Sequence, residues 1–431
     1  MLVMDWDGKK VAILGWGEDA QDVEPWLRDQ GAQITILDER KDKKPFGDVS
    51  GYEVLVRSPG VYRYRTEITE AEKKGVIVTS KTKIFFDVCP GKIIGVTGTK
   101  GKGTTATLIY EILKAAEKKV WLGGNMGRGV FGFLPQVDEE SWVVLELSSF
   151  QLIDLSKSAH IGVVLMTTIE HMNWHKSAKE YVEAKGNLVR YQNANDFAVV
   201  NRDYENSREI GKLGAGKKIW VSGRDFTGVV KLRGEHNREN AAAAMAVAQI
   251  VGIDKGLARD VIRDFKGLEH RLEEVGKVEG VTYFDDSFST TPETTIAAVK
   301  AFGEPTILIV GGSEKGSDFK EMGQVISQAN NIKAVILIGL MADRIEKSIT
   351  NKKVKLVKGA RNMTEIVAQA KRLAKPGDVV VLSPAAASFD MFSNYKDRGE
   401  QFKREVLKNG ENFAGEMVTV AGAHDDDGIS R

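Results

Sequence analysis

Short apolar runs alternate with longer amphipathic segments in the first part of the chain. Val11–Leu14 and Gln33–Leu37 flank a glycine turn and a helix-compatible segment, and shorter runs follow at Val54–Val56 and Val76–Val78. Continuous apolar runs separated by helical patterns are typical of parallel strands buried on both faces. Residues 1–90 are therefore predicted to form a Rossmann-like domain that opens with a βαβ unit.

The same alternation begins again and predicts a central domain over residues 91–270. Its first strand, Ile93–Val96, leads into a loop rich in glycine, lysine and threonine. Further apolar runs lie at Trp142–Leu147 and Gly162–Met166, and Asn237–Val251 is an alanine-rich helical segment. A strand followed by such a loop and a helix is typical of a P-loop-type α/β domain.

A third set of apolar runs predicts a second Rossmann-like domain over residues 271–415. The runs Thr306–Val310, Ala334–Ile338 and Asp378–Leu382 are separated by helical patterns, as in βαβ units. Residues 416–431 are small, acidic and aperiodic, which predicts a disordered tail. The chain as a whole is thus predicted to be an α/β protein of three domains.

Length, charge and cysteine content narrow the class of protein. A chain of 431 residues exceeds one ordinary core, which agrees with several domains. The 61 Lys and Arg against 60 Asp and Glu leave no basic field for nucleic acid or an anionic membrane. The single cysteine, Cys89, excludes an internal disulfide. Without a signal-peptide pattern, a long apolar stretch or an interface signal, the expectation is a cytoplasmic monomer.

The first glycine turn follows the pattern G-x-G-x-x-A. Gly15 and Gly17 come directly after the first strand, Ala20 completes the pattern, and Asp38 ends the second strand. An acid at this place can accept a hydrogen bond from a ribose hydroxyl. The turn therefore indicates a nucleotide-shaped ligand, and the alternative is a tight turn that packs a helix.

The second glycine-rich loop also carries lysines and threonines. It contains Gly98, Thr99, Lys100, Gly101, Lys102, Gly103 and Thr104. The backbone N–H groups of such a loop, together with its lysine, can cradle the phosphates of a nucleotide. The loop departs from a full Walker A sequence, because Val96 replaces its first glycine and Gly103 its Ser or Thr. The alternative is a lysine-rich surface loop.

Four further residues are candidates for metal or phosphate chemistry. Glu146 ends an apolar strand, where a carboxylate could bind Mg²⁺ or be a buried structural acid. His171 and His175 are four positions apart, which would place both on one helix face. Zinc is disfavoured without a third ligand, so hydrogen bonding competes with Mg²⁺ ligation by one histidine. Composition alone makes Lys185 a solvated surface lysine.

Nine short motifs occur along the chain in a fixed order. They are Thr97–Thr105, Gly124–Gly127, Glu146–Leu152, Glu170–Met172, Tyr181–Lys185, His236–Asn240, His270–Arg271, Asp285–Ser287 and Leu382–Ser388. With these motifs the chain resembles the Mur ligase family over nearly its whole length, up to about Gly410. The run ELSSFQL is similar to that of the member that adds glutamate to UDP-N-acetylmuramoyl-L-alanine.

The resemblance implies that the two outer domains bind substrates. In the first domain, the uridine diphosphate end of the acceptor would be held by Gly15, Asp38, Ser58 and Gly60. In the third domain, the residues that face the nucleotide would be Arg271 and Asp286. The residues that line the incoming glutamate would be Lys315, Ser388 and Tyr395.

The resemblance also implies that the central domain binds ATP. The nucleotide would lie on the loop Gly98–Thr104, with Lys102 on its phosphates. Asn237 and Asn240 would lie near the adenine. Asn125 would reach the acceptor. The central domain would therefore bring ATP and the acceptor carboxylate together.

Two Mg²⁺ ions are implied as cofactors. Glu146 and His171 would serve magnesium, and a carbamylated Lys185 would bind the second ion. Carbamylation turns a lysine into an anion, which gives this residue a chemical purpose. Because Gly103 replaces the hydroxyl residue that usually ligates Mg²⁺, Thr104 or water is expected to take over.

The implied reaction adds D-glutamate to UDP-N-acetylmuramoyl-L-alanine through an acyl phosphate, in peptidoglycan precursor synthesis. Phe288 stands where many relatives carry a lysine that contacts glutamate, so the sequence is also compatible with L-glutamate addition to the same acceptor. Single motifs would further fit a folylpolyglutamate-synthase-like ligase, a nicotinamide-dependent dehydrogenase or a nucleotide sensor. A dehydrogenase, however, would leave the loop Thr97–Thr105 unexplained.

Overall fold

The computed structural model describes residues 4–126, 129–232, 234–314, 316–351 and 353–408. The chain forms two compact units, residues 1–266 and residues 267–431. Two parallel sheets lie in the first unit and one mixed sheet in the second, so the predicted α/β class is confirmed, and the three sheets are consistent with the three predicted domains. Lys315 and the predicted tail lie outside the described residues.

The first sheet is parallel throughout. Its strands are β1 (Lys10–Leu14), β2 (Gln33–Leu37), β3 (Val54–Arg57) and β4 (Ile77–Ser80). Its helices are α1 (Glu18–Asp29), α2 (Glu39–Asp42), α3 (Thr66–Lys73) and α4 (Lys81–Val88). The strand order is β2-β1-β3-β4. Val11 and Leu14 are fully buried, as expected for a continuous apolar run covered on both faces.

The second sheet is also parallel and has the order β10-β9-β8-β5-β7-β6. Its strands are β5 (Lys92–Thr97), β6 (Val120–Gly124), β7 (Trp142–Glu146), β8 (Ile161–Val164), β9 (Phe197–Asn201) and β10 (Lys217–Val221). Its helices are α5 (Lys102–Ala115), α6 (Val130–Phe133), α7 (Ser149–Leu152), α8 (Ala178–Arg190), α9 (Glu205–Gly211), α10 (His236–Val251) and α11 (Lys255–Asp264).

The position of β5 locates a ligand crevice. This strand pairs with β7 on one side and β8 on the other, so the strand order changes direction beside it. In open α/β sheets, ligands bind outside the carboxyl ends of strands at such a switch point. The sequence pattern missed β6 and β10 because both are edge strands with partly exposed residues, and it also missed β9.

The sheet of the second unit has the order β11-β12-β16-β13-β14-β15. Its strands are β11 (Glu273–Val278), β12 (Val281–Asp285), β13 (Thr306–Gly311), β14 (Ile332–Ile338), β15 (Lys355–Val357) and β16 (Val379–Leu382). Its helices are α12 (Pro292–Lys300), α13 (Lys320–Gln328), α14 (Ala342–Ser348), α15 (Met363–Leu373) and α16 (Tyr395–Leu407).

The hairpin β11–β12 is antiparallel, and the apolar pattern did not predict it. Glu279 and Gly280 form its turn, both with positive φ, as tight hairpin turns require. The strand β11 has an irregular pattern of polar and small residues, which hides it from a search for apolar runs. The domain limits at 90 and 270 stay predictions, although the division between the two units falls at Lys266.

One helical prediction was wrong. The segment from His171 to His175 is a turn, and His171 has a φ of 60°, in the left-handed region. The two histidines therefore do not share a helix face. Within the described ranges, no helix combines the length and apolar character needed to cross a bilayer.

Candidate active site

The loop between β5 and α5 is bent by two glycines that no larger residue could replace without strain. Gly98 has a φ of 153° and Gly101 a φ of 84°. A Cβ on Gly101 would lie 2.3 Å from Oδ1 of Asn240. Helix α5 starts directly afterwards and has no acidic residue in its first turn. The loop therefore presents a helix N-terminus suited to an anion.

The side chains of the loop hold it in place. The Lys102 ammonium donates to the carbonyl oxygens of Gly98 and Thr99, both at 3.1 Å. Thr99 donates from Oγ1 to the Thr168 carbonyl at 2.8 Å. Lys100 is exposed and pairs with Glu170 at 3.0 Å. The sequence predicted a lysine-bearing loop between a strand and a helix, and the structure has one there.

The first turn of α5 contains the two residues that follow the loop lysine. Gly103 is buried, whereas Thr104 is half-buried. Thr104 is therefore the hydroxyl residue of this turn that remains partly accessible beside the loop. Its proposed role as a replacement metal ligand stays a prediction.

Lys185 is buried beneath the loop, so the prediction of a solvated surface lysine was wrong. Its side chain comes from α8, and its residue is 2% exposed. The Nζ atom donates to the Gly98 carbonyl at 2.9 Å and to Thr97 Oγ1 at 3.4 Å. Burial and then the neighbouring Lys102 hold the pKa of Lys185 well below its usual value, against the opposing effect of Glu170 and Glu146.

Glu146 and Asn125 lie at the carboxyl ends of neighbouring strands. Glu146 ends β7 and is 8% exposed, and its charge partly opposes the lowering of the Lys185 pKa. Asn125 follows β6, and its N–H donates to the Glu146 carbonyl at 2.9 Å. The Asn125 side chain is exposed. An acid and an amide therefore adjoin the loop between β5 and α5 at one sheet edge.

His171 faces the same group of charges. Its ring lies 4.9 Å from that of Phe150, and its side chain is 49% exposed. Burial, then the charges of Lys185, Lys102 and Lys100, lower the pKa of His171, while Glu170 opposes them. The imidazole is therefore neutral at pH 7, the form in which histidine binds metals.

His175 is committed to a different network. It is buried, with Nε2 at 2.9 Å from Ser149 Oγ and Nδ1 at 3.0 Å from Glu180 Oε1. Burial lowers the pKa of His175, so the neutral ring donates to the carboxylate and accepts from the serine. The hydrogen-bonding role thus describes His175.

Two asparagines connect the loop to α10. Asn240 Nδ2 donates to Asn237 Oδ1 at 2.9 Å, and Asn240 Oδ1 accepts from Thr105 Oγ1 at 3.2 Å. Both asparagines are buried. They therefore place the start of α10 beside Gly101, which agrees with a site on that side of the loop.

The first glycine turn is closed by its own acid. Asp38 Oδ2 accepts from the Trp16 N–H at 2.7 Å, and Oδ1 accepts from the N–H groups of Arg40 and Lys41. These hydrogen bonds, that of Trp16 first, hold the pKa of Asp38 below its ordinary value. Asp38 is therefore the N-cap of α2 as well as the acid of the fingerprint.

Ser58 and Gly60 belong to a loop beside this turn. Ser58 Oγ donates to the Gly15 carbonyl at 2.7 Å. A Cβ on Gly15, whose φ is 83°, would lie 3.1 Å from Val61 Cγ2. Gly60 is exposed with open space around its Cα. The two loops therefore form one surface at the carboxyl edge of the first sheet.

Sequence reasoning missed Arg57, which fixes that loop. Arg57 is buried and pairs with Asp154, and both side chains are almost completely excluded from solvent. Its Nη1 donates to the carbonyls of Ser58 at 3.0 Å and Val61 at 2.6 Å, and its Nη2 to Phe150 at 2.7 Å. The sequence signal that could have identified Arg57 is its position, a charged residue at the end of an apolar strand.

In the second unit, Asp286 follows β12 and is buried. Its Oδ2 accepts from Ser383 Oγ at 2.7 Å, and its Oδ1 accepts from the Leu272 N–H at 3.2 Å. Burial raises the pKa of Asp286 to about 7. Arg271 lies next to this loop, with its guanidinium carbon 3.9 Å from the centre of the Phe288 ring.

Ser388 and Tyr395 lie on a neighbouring loop of the second unit. Ser388 is buried and accepts from the Phe392 N–H at 2.8 Å, and Tyr395 begins α16. Arg398, which sequence reasoning missed, donates to Ser287 Oγ and Ala386 O at 2.9 and 3.2 Å. It therefore joins the Asp286 loop to the Ser388 loop.

Comparisons with known proteins identify the family of the chain. Residues 96–225 match the Mur ligase middle domain, and residues 270–386 match the glutamate ligase domain of Mur ligases. The chain is 36% identical to the UDP-N-acetylmuramoylalanine–D-glutamate ligase of Acetivibrio thermocellus, covering 92% of this chain and 96% of that protein. Identity to the ligase of the same name from Clostridium botulinum is 34%, with the same coverages.

A solved structure shares the fold at low identity. The UDP-N-acetylmuramate-alanine ligase MurC from Thermotoga maritima aligns with a TM-score of 0.58 and 16% identity, covering 93% of this chain and 99% of that one. The sequence relatives and both domain matches thus point to one family. The chain belongs to the Mur ligase family.

Proposed function

We propose that the protein is an ATP-dependent ligase that adds D-glutamate to UDP-N-acetylmuramoyl-L-alanine in peptidoglycan precursor synthesis. The observation that carries the proposal is the buried amine of Lys185, which donates to the Gly98 carbonyl at the base of the phosphate loop. A nucleotide sensor has no use for such an amine. The 36% identity to a ligase of this name supports the choice of substrates.

ATP binds at the loop between β5 and α5. The Gly98 and Gly101 bends expose backbone N–H groups, and the start of α5 adds its positive end. Lys102, now on the loop carbonyls, turns to the β- and γ-phosphates when the nucleotide enters. Asn237 and Asn240 lie on the adenine side of the bound nucleotide.

The residues at the loop fit magnesium. Glu146 offers a carboxylate, His171 a neutral imidazole and Thr104 a hydroxyl, which are acceptable ligands for a hard cation that also keeps waters. When bound, Mg²⁺ ions neutralise the charge that develops on the transferred phosphoryl group. These three residues would hold the first ion.

Lys185 would serve a second ion after carbamylation. Its lowered pKa keeps a fraction of the amine neutral and nucleophilic at physiological pH. The neutral amine adds to the carbon of CO₂, forming an N–C bond and releasing one proton. The product is an anion beside Lys102, so the carbamate is stabilised where a protonated lysine is destabilised.

The reaction consists of two successive nucleophilic displacements, and the chain positions the reactants of both. An oxygen of the acceptor carboxylate attacks the γ-phosphorus, the bond to ADP breaks, and an acyl phosphate forms. The amine of glutamate then attacks the acyl carbon, phosphate leaves, and the amine loses a proton. Gly15, Asp38, Ser58, Gly60 and Asn125 position the acceptor, while Arg271 and Asp286 face the nucleotide.

The glutamate site belongs to the second unit. Ser388 and Tyr395 line it, together with Lys315, which lies outside the described residues. Phe288 stands beside Tyr395, with ring centres 5.0 Å apart. Because this aromatic replaces a usual lysine, the L-glutamate-adding activity is the second candidate. The enzyme acts in the cytoplasm as a monomer.

Phosphate release tests the proposal. Purified protein is supplied with ATP, Mg²⁺ and UDP-N-acetylmuramoyl-L-alanine, and D-glutamate is compared with L-glutamate. Release with the D isomer alone is expected. Phosphate release with the L isomer alone would favour the L-glutamate-adding activity. No release with either isomer would contradict UDP-N-acetylmuramoyl-L-alanine as the acceptor.

A further inference from the structure

Arg271 lies at the tip of a tightly constrained loop. The residues on either side of it, His270 and Leu272, have φ values of 62° and 46°, which non-glycine residues rarely adopt. The His270 N–H donates to Glu273 Oε2 at 2.8 Å, and its ring nitrogen lies 2.7 Å from Asp285 Oδ2. The backbone that carries Arg271 is therefore fixed before any ligand arrives.

The side chain of Arg271 is held by a second device. Its guanidinium carbon lies 3.9 Å from the centre of the Phe288 ring. The same ring also contacts that of Tyr395, edge-on at 5.0 Å and 89°. The Phe288 N–H donates to the His270 carbonyl at 3.0 Å, so the ring is tied to the loop it supports.

The contact with the Arg271 guanidinium explains why the Phe288 ring is partly exposed in the folded protein. Phe288 is 38% exposed, although large apolar side chains are usually buried. A guanidinium stacks through its flat face and donates hydrogen bonds in its plane, so stacking is compatible with anion binding. A lysine at position 288 would instead place a second positive charge against Arg271.

We propose that Phe288 is a positioning residue that holds the Arg271 guanidinium for the phosphates of the nucleotide. The inference rests on the proposed function, since it takes the nucleotide as the ligand of Arg271. A platform removes rotamer freedom from arginine before binding, so less is lost when the phosphate contact forms. The chain thus uses an aromatic platform where many relatives use a charge.

Steady-state kinetics of the full chain test this role. Phe288→Leu and Phe288→Met remove the ring but keep an apolar side chain, whereas Phe288→Tyr keeps the ring. The ringless variants are expected to raise the KM for ATP about fivefold, and Phe288→Tyr to stay within about twofold of the natural chain. Phe46→Leu is the control, because Phe46 carries a comparable stack under Arg65 at 4.7 Å in the first unit.

A double-mutant cycle decides whether Phe288 acts through Arg271. Once Arg271→Gln has removed the guanidinium, adding Phe288→Leu should change the KM for ATP no further. An undiminished effect in that background would overturn the proposal. So would an unchanged KM for ATP in both ringless variants, or a rise confined to the KM for glutamate.

A spectroscopic measurement separates this inference from the proposed function. In protein labelled with ¹⁵N-arginine, the Arg271 Nε–H signal is identified by its loss in Arg271→Gln. The ring current of Phe288 should shift this signal in the natural chain and in Phe288→Tyr, but not in Phe288→Leu. Correct shifts without any ligase activity would keep the stack and reject the function, whereas absent shifts would reject the stack alone.

Discussion

Two strand–glycine–helix turns occur in the first unit, and their electrostatics differ. Both follow a buried parallel strand and contain a left-handed glycine, Gly15 in one and Gly101 in the other. The first leads into a helix with two acidic residues in its first turn, and Asp38 closes it. The second leads into a helix with no acid there, beginning at Lys102.

The comparison shows that glycines determine the bend while charge determines the ligand. In the first turn, the Trp16 N–H is already satisfied by the Asp38 carboxylate, which disfavours a phosphate at that donor. In the second turn, Lys100, Lys102 and the buried Lys185 surround the loop. We therefore expect the triphosphate at the second turn and the nucleotide end of the acceptor at the first.

The largest effect is expected from Lys185→Met, which removes the amine beneath the second turn. Turnover should fall about a hundredfold or more, as when a metal ligand shell is broken. Short-chain carboxylic acids should restore part of it by replacing the carbamate that we propose on Lys185. Phosphate release is the measurement, and Lys179→Met is the control, because the Lys179 side chain on the same helix is 83% exposed.

Lys102→Met should lower kcat/KM by about a hundredfold, since it removes the ammonium charge that would stabilise the transferred phosphoryl group. Lys114→Met, in the last turn of the same helix, should have little effect. Initial rates of phosphate release over a range of ATP concentrations test the pair. Equal losses in both variants would show that the position of Lys102 at the second turn has no special role.

The pH dependence of turnover should have an acid limb set by His171. Because the pKa of His171 is lowered, the neutral imidazole that we propose as an Mg²⁺ ligand persists as the pH falls below the usual histidine range and is lost only below that pKa. Glu170 raises this pKa, so Glu170→Gln should move the limb to lower pH, by less than about one unit. Rate profiles measured with saturating Mg²⁺ would contradict this if the limb moved upward.

The smallest effect is expected from Asp38→Asn in the first turn. The amide cannot accept all three backbone N–H groups, so unfolding should become easier by about 1–2 kcal/mol near neutral pH. The folded pKa of Asp38 is lowered, so its contribution is present above the unfolded pKa and lost as the pH falls through the folded value. The variant and the natural chain should therefore converge in acid.

Urea unfolding at neutral and acidic pH measures this difference, with Asp29→Asn at the exposed end of α1 as its control. The KM for ATP should not change, whereas the KM for the acceptor should rise. A change confined to ATP would reverse the assignment of the two turns.

Much of the fold could be predicted because its signals are local. Gln33–Leu37 was predicted with the limits that the structure has, and Asn237–Val251 began one residue late. Both segments could be predicted because an alternating or helical spacing of apolar residues can be recognised from neighbours a few positions apart. The hairpin β11–β12 was missed because β11 has no regular alternation of apolar and polar residues.

The sequence by itself determined the glycine-rich loop, because a bend and a helix start depend on neighbours a few positions away. It also carried the ordered motifs from which the family was predicted. Only the tertiary structure decided the burial of Lys185, whose partner Gly98 is 87 positions distant. It likewise decided that Asp38 closes a turn and that Arg271 stacks on Phe288. Desolvation and ring contacts arise from distant segments brought together, so no local pattern encodes them.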